Sequence, residues 1–77
     1  MITVKTKSGA VYEFKPDEQL FRRLPPPTAP KHAFDFVWTE YYMPSEDFVV
    51  GRPIRLFYGA RGTLKTSAVV RVTPEEE

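Results

Sequence analysis

Period-two alternation of apolar and polar residues constrains this chain more than any other feature. Ile2, Val4 and Thr6 alternate with Thr3 and Lys5, Lys7-Ser8-Gly9 supplies turn chemistry, and Ala10, Tyr12 and Phe14 alternate with Val11 and Glu13. Side chains that point to one face at every second position define a strand, and two such runs around a short Gly-containing turn predict a β-hairpin. The pattern returns later. Ile54, Leu56 and Tyr58 form one alternating set, Gly59–Thr66 reads as a loop with two glycines, and Ser67–Val72 as a β-branched strand that completes a second hairpin. No stretch carries apolar residues at helical spacing over three turns.

Between these units the chain changes character. Lys15-Pro16-Asp17-Glu18 is turn chemistry, and Leu20–Leu24 reads as a third strand or a single helical turn, with Leu20, Arg22 and Leu24 opposite Phe21 and Arg23. Pro25-Pro26-Pro27-Thr28-Ala29-Pro30 cannot donate ladder hydrogen bonds and favours extended polyproline II backbone, which makes it a linker or a surface crossing. Phe34, Phe36 and Trp38 alternate with Asp35, Val37 and Thr39. They predict a strand with an aromatic core face, closed by a loop at Tyr41–Asp47, with a short strand at Phe48–Val50.

The expected architecture is all-β: a small antiparallel sheet or partly open barrel of five to six strands, two hairpins joined by a Pro-rich linker. It divides a single domain into a hairpin and short strand (1–24), the linker (25–33), a C-terminal β unit (34–72) and an acidic tail (73–77). At 77 residues, with no cysteine and one histidine, no disulfide can form and a structural zinc site is not expected, so stability must come from apolar packing or association. Self-association would enlarge the core, and a homo-oligomer is one expectation. No apolar run reaches membrane-spanning length and the first residues lack the order of a secretory signal, so a cytoplasmic location without membrane contact is expected.

Catalysis needs proton-transfer or nucleophilic groups in pairs or triads, and the chain is poor in them. His32 sits beside the proline run, and Asp35 with Glu40, or Glu46 with Asp47, are better explained as solvated loop carboxylates than as an acid pair. Gly59-Ala60-Arg61-Gly62-Thr63-Leu64-Lys65-Thr66 fails as a phosphate-binding loop: two residues separate its glycines, Leu64 precedes Lys65, and a strand follows. No catalytic residue, metal ligand or cofactor is assigned, and a non-enzymatic binding module is the expected function.

Two groups of residues are candidates for binding. Residues 51–72 carry five basic groups and no acidic one, although the net charge of the whole chain is only +1. Arg52, Arg55, Arg61, Lys65 and Arg71 interleave there with Phe57 and Tyr58; alternation assigns Tyr58 to the core and sends Arg55 and Phe57 outward. Trp38, Tyr41 and Tyr42 are natural interface anchors if exposed. A solvated basic face explains the cations without a ligand. As a contact surface, the set favours a protein reached through an aromatic-basic face or an unpaired strand edge. Single-stranded nucleic acid, stacked on aromatics with cations tracking phosphates, is the alternative.

The opening Met1–Glu13, Phe21-Arg22-Arg23-Leu24, the mid-chain Trp38 and the closing Thr66–Val72 resemble short accessory proteins of bacteriophages that infect actinobacteria. The resemblance implies a non-virion protein made in the host cytoplasm, acting by binding a host factor, and it brings no active site.

Overall fold

In the computed structural model, which describes residues 1–27, 35–43, 48–59 and 62–74, six antiparallel strands close into a barrel in sequence order. They are β1 (Ile2–Thr6), β2 (Val11–Lys15), β3 (Leu20–Leu24), β4 (Thr39–Tyr42), β5 (Pro53–Tyr58) and β6 (Gly62–Pro74). No helix occurs among the described residues, and the expectation of a small all-β barrel stands. β1 and β2 pair with Val4 opposite Tyr12 and Ile2 opposite Phe14, which turns the alternating apolar sets of both strands into one interior. Leu20–Leu24 is a strand rather than a helical turn; it pairs along β2 from Val11–Leu24 to Lys15–Leu20.

Closure depends on β6. Its first half pairs with β5 and its second half with β1, so the two expected hairpin units share a single barrel. A strand serving two neighbours that diverge must bend. β6 does so through two register shifts, one opposite Pro53–Arg55 and one opposite Lys5–Thr6, each placing an extra residue on β6. At the first, the Thr66 hydroxyl accepts from the Ile54 amide at 2.9 Å, so a side chain supplies a ladder bond that the backbone has lost.

Phe14 is at the centre of the core. Its ring lies 4.8 Å from Phe48, 5.3 Å from Tyr41 and 6.1 Å from Phe21, centroid to centroid. Val4, Ala10, Tyr12, Met43, Ile54, Leu56 and Val69 share that interior. Aromatic pairs at these separations contribute about 0.5–1.5 kcal/mol each beyond the area they bury.

Five expectations are corrected. The aromatic strand expected from Phe34 does not form over the described part of that segment: Asp35–Val37 is a turn, Phe36 has φ +66° and is 55% exposed, and the strand starts only at Thr39. The cause is Asp35, whose buried carboxylate is held by Arg23, an interaction that occupies the interior in place of the Phe36 ring. Asp35 is therefore no solvated loop carboxylate. Tyr41 and Tyr42 consequently lie within β4 instead of in a loop. Phe48–Val50 is not a strand, although Phe48 packs on the core. β6 begins at Gly62 rather than Ser67, because Leu64 opposite Leu56 extends the inward set. Of the proline run, Pro25–Pro27 is described; Pro26 Cβ comes within 3.5 Å of where a Gly9 side chain would start, so the run crosses the β1–β2 turn. Thr28–Phe34, including His32, lies outside the described residues, as do Glu46, Asp47 and the tail from Glu75.

Candidate functional site

The outward positions of β5 follow from its inward ones. Burial of Ile54 and Leu56 forces Arg55 and Phe57 to solvent, where each meets the outward residue of a neighbouring strand. Phe57 is opposite Tyr42 of β4, and the two rings stack with centroids 6.4 Å apart and planes 28° from parallel. Neither is buried: Tyr42 is 63% exposed and Phe57 40%. Arg55 is directly opposite Lys65 of β6. Further along β6, Arg71 is directly opposite Lys5 of β1.

Both cation pairs are exposed, and no described carboxylate neutralises any of the four. Like charges at directly opposed positions cost stability, up to about 1 kcal/mol per pair. Their presence on one continuous run of strands, β5–β6–β1, is therefore a cost that packing does not explain. Acidic residues are instead placed elsewhere: Glu13 pairs with Arg22 across β2–β3, and Glu18 with Lys15.

Beside the stacked rings lies an open groove of about 270 Å³ lined by Glu40, Tyr41, Tyr42, Phe57 and Gly59. Glu40 and Tyr42 are two residues apart on β4 and share its outer face, whereas Tyr41 turns inward.

The sequence-based candidates separate by their place in the barrel. Tyr42, Arg55, Phe57 and Lys65 converge on the β4–β5–β6 face, with Arg71 continuing the cationic run toward β1. Arg52 is exposed in the turn before β5, its carbonyl accepting from the Val69 amide at 2.9 Å. Tyr41 and Trp38 do not belong to this face. Tyr41 is only 6% exposed and packs edge-on against Phe14 and Phe21, which removes it as an interface anchor. Trp38 is half-buried and lies against β2 and β3, with Lys15 Nζ 4.3 Å and the Arg22 guanidinium 4.6 Å from its ring. Two cations over one indole hold the chain that leads into β4 against the barrel wall. Arg61 lies outside the described residues.

Three features of interest were not among those candidates. Lys5 gains meaning only from the β1–β6 register, and Glu40 only from the groove; neither signal is local in sequence. Arg23 and Asp35 form the third feature, a buried pair beside Tyr12. Burial pushes the Tyr12 phenol above its ordinary pKa, and the Arg23 guanidinium, close by and hydrogen-bonded to it, opposes the shift in part. Among the described residues, no group of three His, Asp or Glu side chains could hold a metal ion.

The chain matches no protein-family model, no curated protein and no solved structure.

Proposed function

We propose that this protein is a non-catalytic binding module that engages single-stranded nucleic acid through the outer face of β4, β5, β6 and β1. The observation that carries the reading is the combination of two like-charge pairs that no described carboxylate neutralises, Arg55–Lys65 and Lys5–Arg71, with the exposed Tyr42–Phe57 stack beside them. An anionic polymer relieves the repulsion. Its bases supply π-faces for the rings, and base–aromatic stacking contributes about 1–3 kcal/mol per base. Strand addition, the other route considered from sequence, has less support where the sheet closes, and what edge remains is where residues 22–24 of β3 and 53–56 of β5 run past the described β4 pairings.

Fluorescence anisotropy with labelled single-stranded DNA and RNA tests the reading. Four phosphate contacts give a salt slope of roughly −2.8 for single strands, so affinity falls about 50-fold between 50 and 200 mM salt. Absence of binding at low salt overturns it.

A protein partner keeps support from a separate observation. Phe36 and Val37 are more than half exposed on a turn that Arg23 holds through both Asp35 and the Phe36 amide, and Phe36 adopts a left-handed φ that a bulky residue rarely takes. Residues held in such conformations cluster at sites of contact and function. In this reading a host protein meets the Phe36–Val37 tip. Recovery of the same host protein by the wild type, and its loss with Phe36→Asp, is the result expected; equal recovery by both counts against it.

A further inference from the structure

Glu40 is out of place on a face that attracts phosphates. It is exposed, no described cation pairs with it, and it lines the groove whose wall is the Tyr42–Phe57 stack. A carboxylate there weakens every non-specific phosphate contact, and what it offers instead is a pair of acceptors for a ligand group that donates. The geometry points to a guanine pocket: a base stacked against Tyr42 and Phe57 presents its Watson–Crick edge to the Glu40 carboxylate. This deepens the nucleic-acid reading and rests on it.

The chemistry selects guanine among the bases. An ionised carboxylate only accepts hydrogen bonds, through two oxygens side by side. Guanine has two adjacent donors on one edge, N1–H and the N2 amino group, which match that spacing. Cytosine and adenine each offer one amino donor next to a ring-nitrogen acceptor, and uracil or thymine one N–H flanked by two carbonyls; all three bring an acceptor against the carboxylate. In a duplex this edge is engaged, whereas in a single strand it is free to be read. Gly59 adds only backbone to the groove lining, and the two outward residues of β4, Glu40 and Tyr42, carry the carboxylate and the stacking ring on one strand.

The test compares labelled oligothymidylate of about 12 nucleotides, within the site size of such modules, with the same strand carrying one central guanine, or inosine, which lacks the N2 amino group; RNA versions run in parallel. The wild type is expected to bind the guanine strand at least about fivefold more tightly than oligothymidylate, the discrimination of one good bidentate contact. Inosine is expected to fall between them. Glu40→Gln is expected to abolish the guanine preference while tightening binding to oligothymidylate, because a negative charge leaves the face. That opposite movement separates base reading from damage to the fold, which far-ultraviolet circular dichroism checks independently. Equal binding of guanine and thymine strands by the wild type overturns the pocket and leaves the nucleic-acid reading standing. Guanine preference that survives in Glu40→Gln overturns the role of Glu40. Failure to bind any strand overturns both readings.

Discussion

Arg23 Nη1 reaches both carboxylate oxygens of Asp35, at 3.1 and 2.9 Å, and the Asp35 side chain is only 2% exposed. The pair ties the start of the chain segment leading into β4 to the inner face of β3, and the turn at Phe36 follows from it.

Removing one partner of that pair leaves a charge without compensation. Asp35→Ala is expected to cost about 3–5 kcal/mol, read as the shift in urea midpoint at constant slope. The double replacement Arg23→Met with Asp35→Leu is expected to recover most of the loss, because the desolvation cost of both charges disappears together. A double variant as unstable as the single one contradicts the assignment.

Tyr12 makes stability depend on alkaline pH. Its pKa in the folded protein is raised above the ordinary 10.0, chiefly by burial, so the unfolded chain loses the phenolic proton first. The contribution is present in full below pH 10 and declines as pH climbs toward the raised folded value, since ionisation then favours the unfolded state. Denaturation midpoints between pH 8 and 11.5 are expected to fall above about pH 10 in the wild type, and to fall less in Tyr12→Phe.

Lys65→Glu is expected to move stability and binding in opposite directions. It replaces a like-charge pair with an attractive one opposite Arg55, a gain of about 0.2–1 kcal/mol in thermal or urea unfolding. The same change places a negative charge amid the cations that would track phosphates, so affinity for single strands falls and the salt slope shrinks. A variant both less stable and unchanged in binding would show that the repulsion has no functional purpose.

Gly62 cannot carry a side chain. A Cβ there would lie 2.5 Å from Tyr58 Cε2 and 2.6 Å from the Tyr58 carbonyl oxygen, and ring rotation relieves only the first. Gly62→Ala is expected to destabilise by about 1–3 kcal/mol. Because Tyr58 adjoins Phe57 and Gly59, the loss should be accompanied by weaker oligonucleotide binding.

The barrel was readable wherever alternation was local. Val4, Tyr12, Phe14, Ile54 and Leu56 each occupy the face that their neighbours in sequence predict, and Arg55 and Phe57 turn outward as expected. Sequence reading failed where a distant partner decided. Asp35 is inside because Arg23, on another strand, neutralises it, and this sends Phe36 outward against its hydrophobicity. Tyr41 and Tyr42 look equivalent in sequence, yet where β4 begins makes one core and the other surface. The cationic face was visible as composition, but its sharpest feature, the opposition of Arg55 to Lys65 and of Lys5 to Arg71, is a matter of register, which bulges on β6 set.

The division of β6 between two partners also sets how the barrel must assemble. The β1–β2, β2–β3 and β5–β6 pairings join neighbours in sequence and can form as soon as each turn does. Pairing of Ile2 with Pro74 and of Val4 with Val72 joins residues about seventy apart, so it closes the longest loop among the described pairings and carries the largest closure entropy. With that pairing non-local, docking of β1 on β6 is expected late, and refolding in milliseconds to seconds rather than at the microsecond pace of helical proteins of this size.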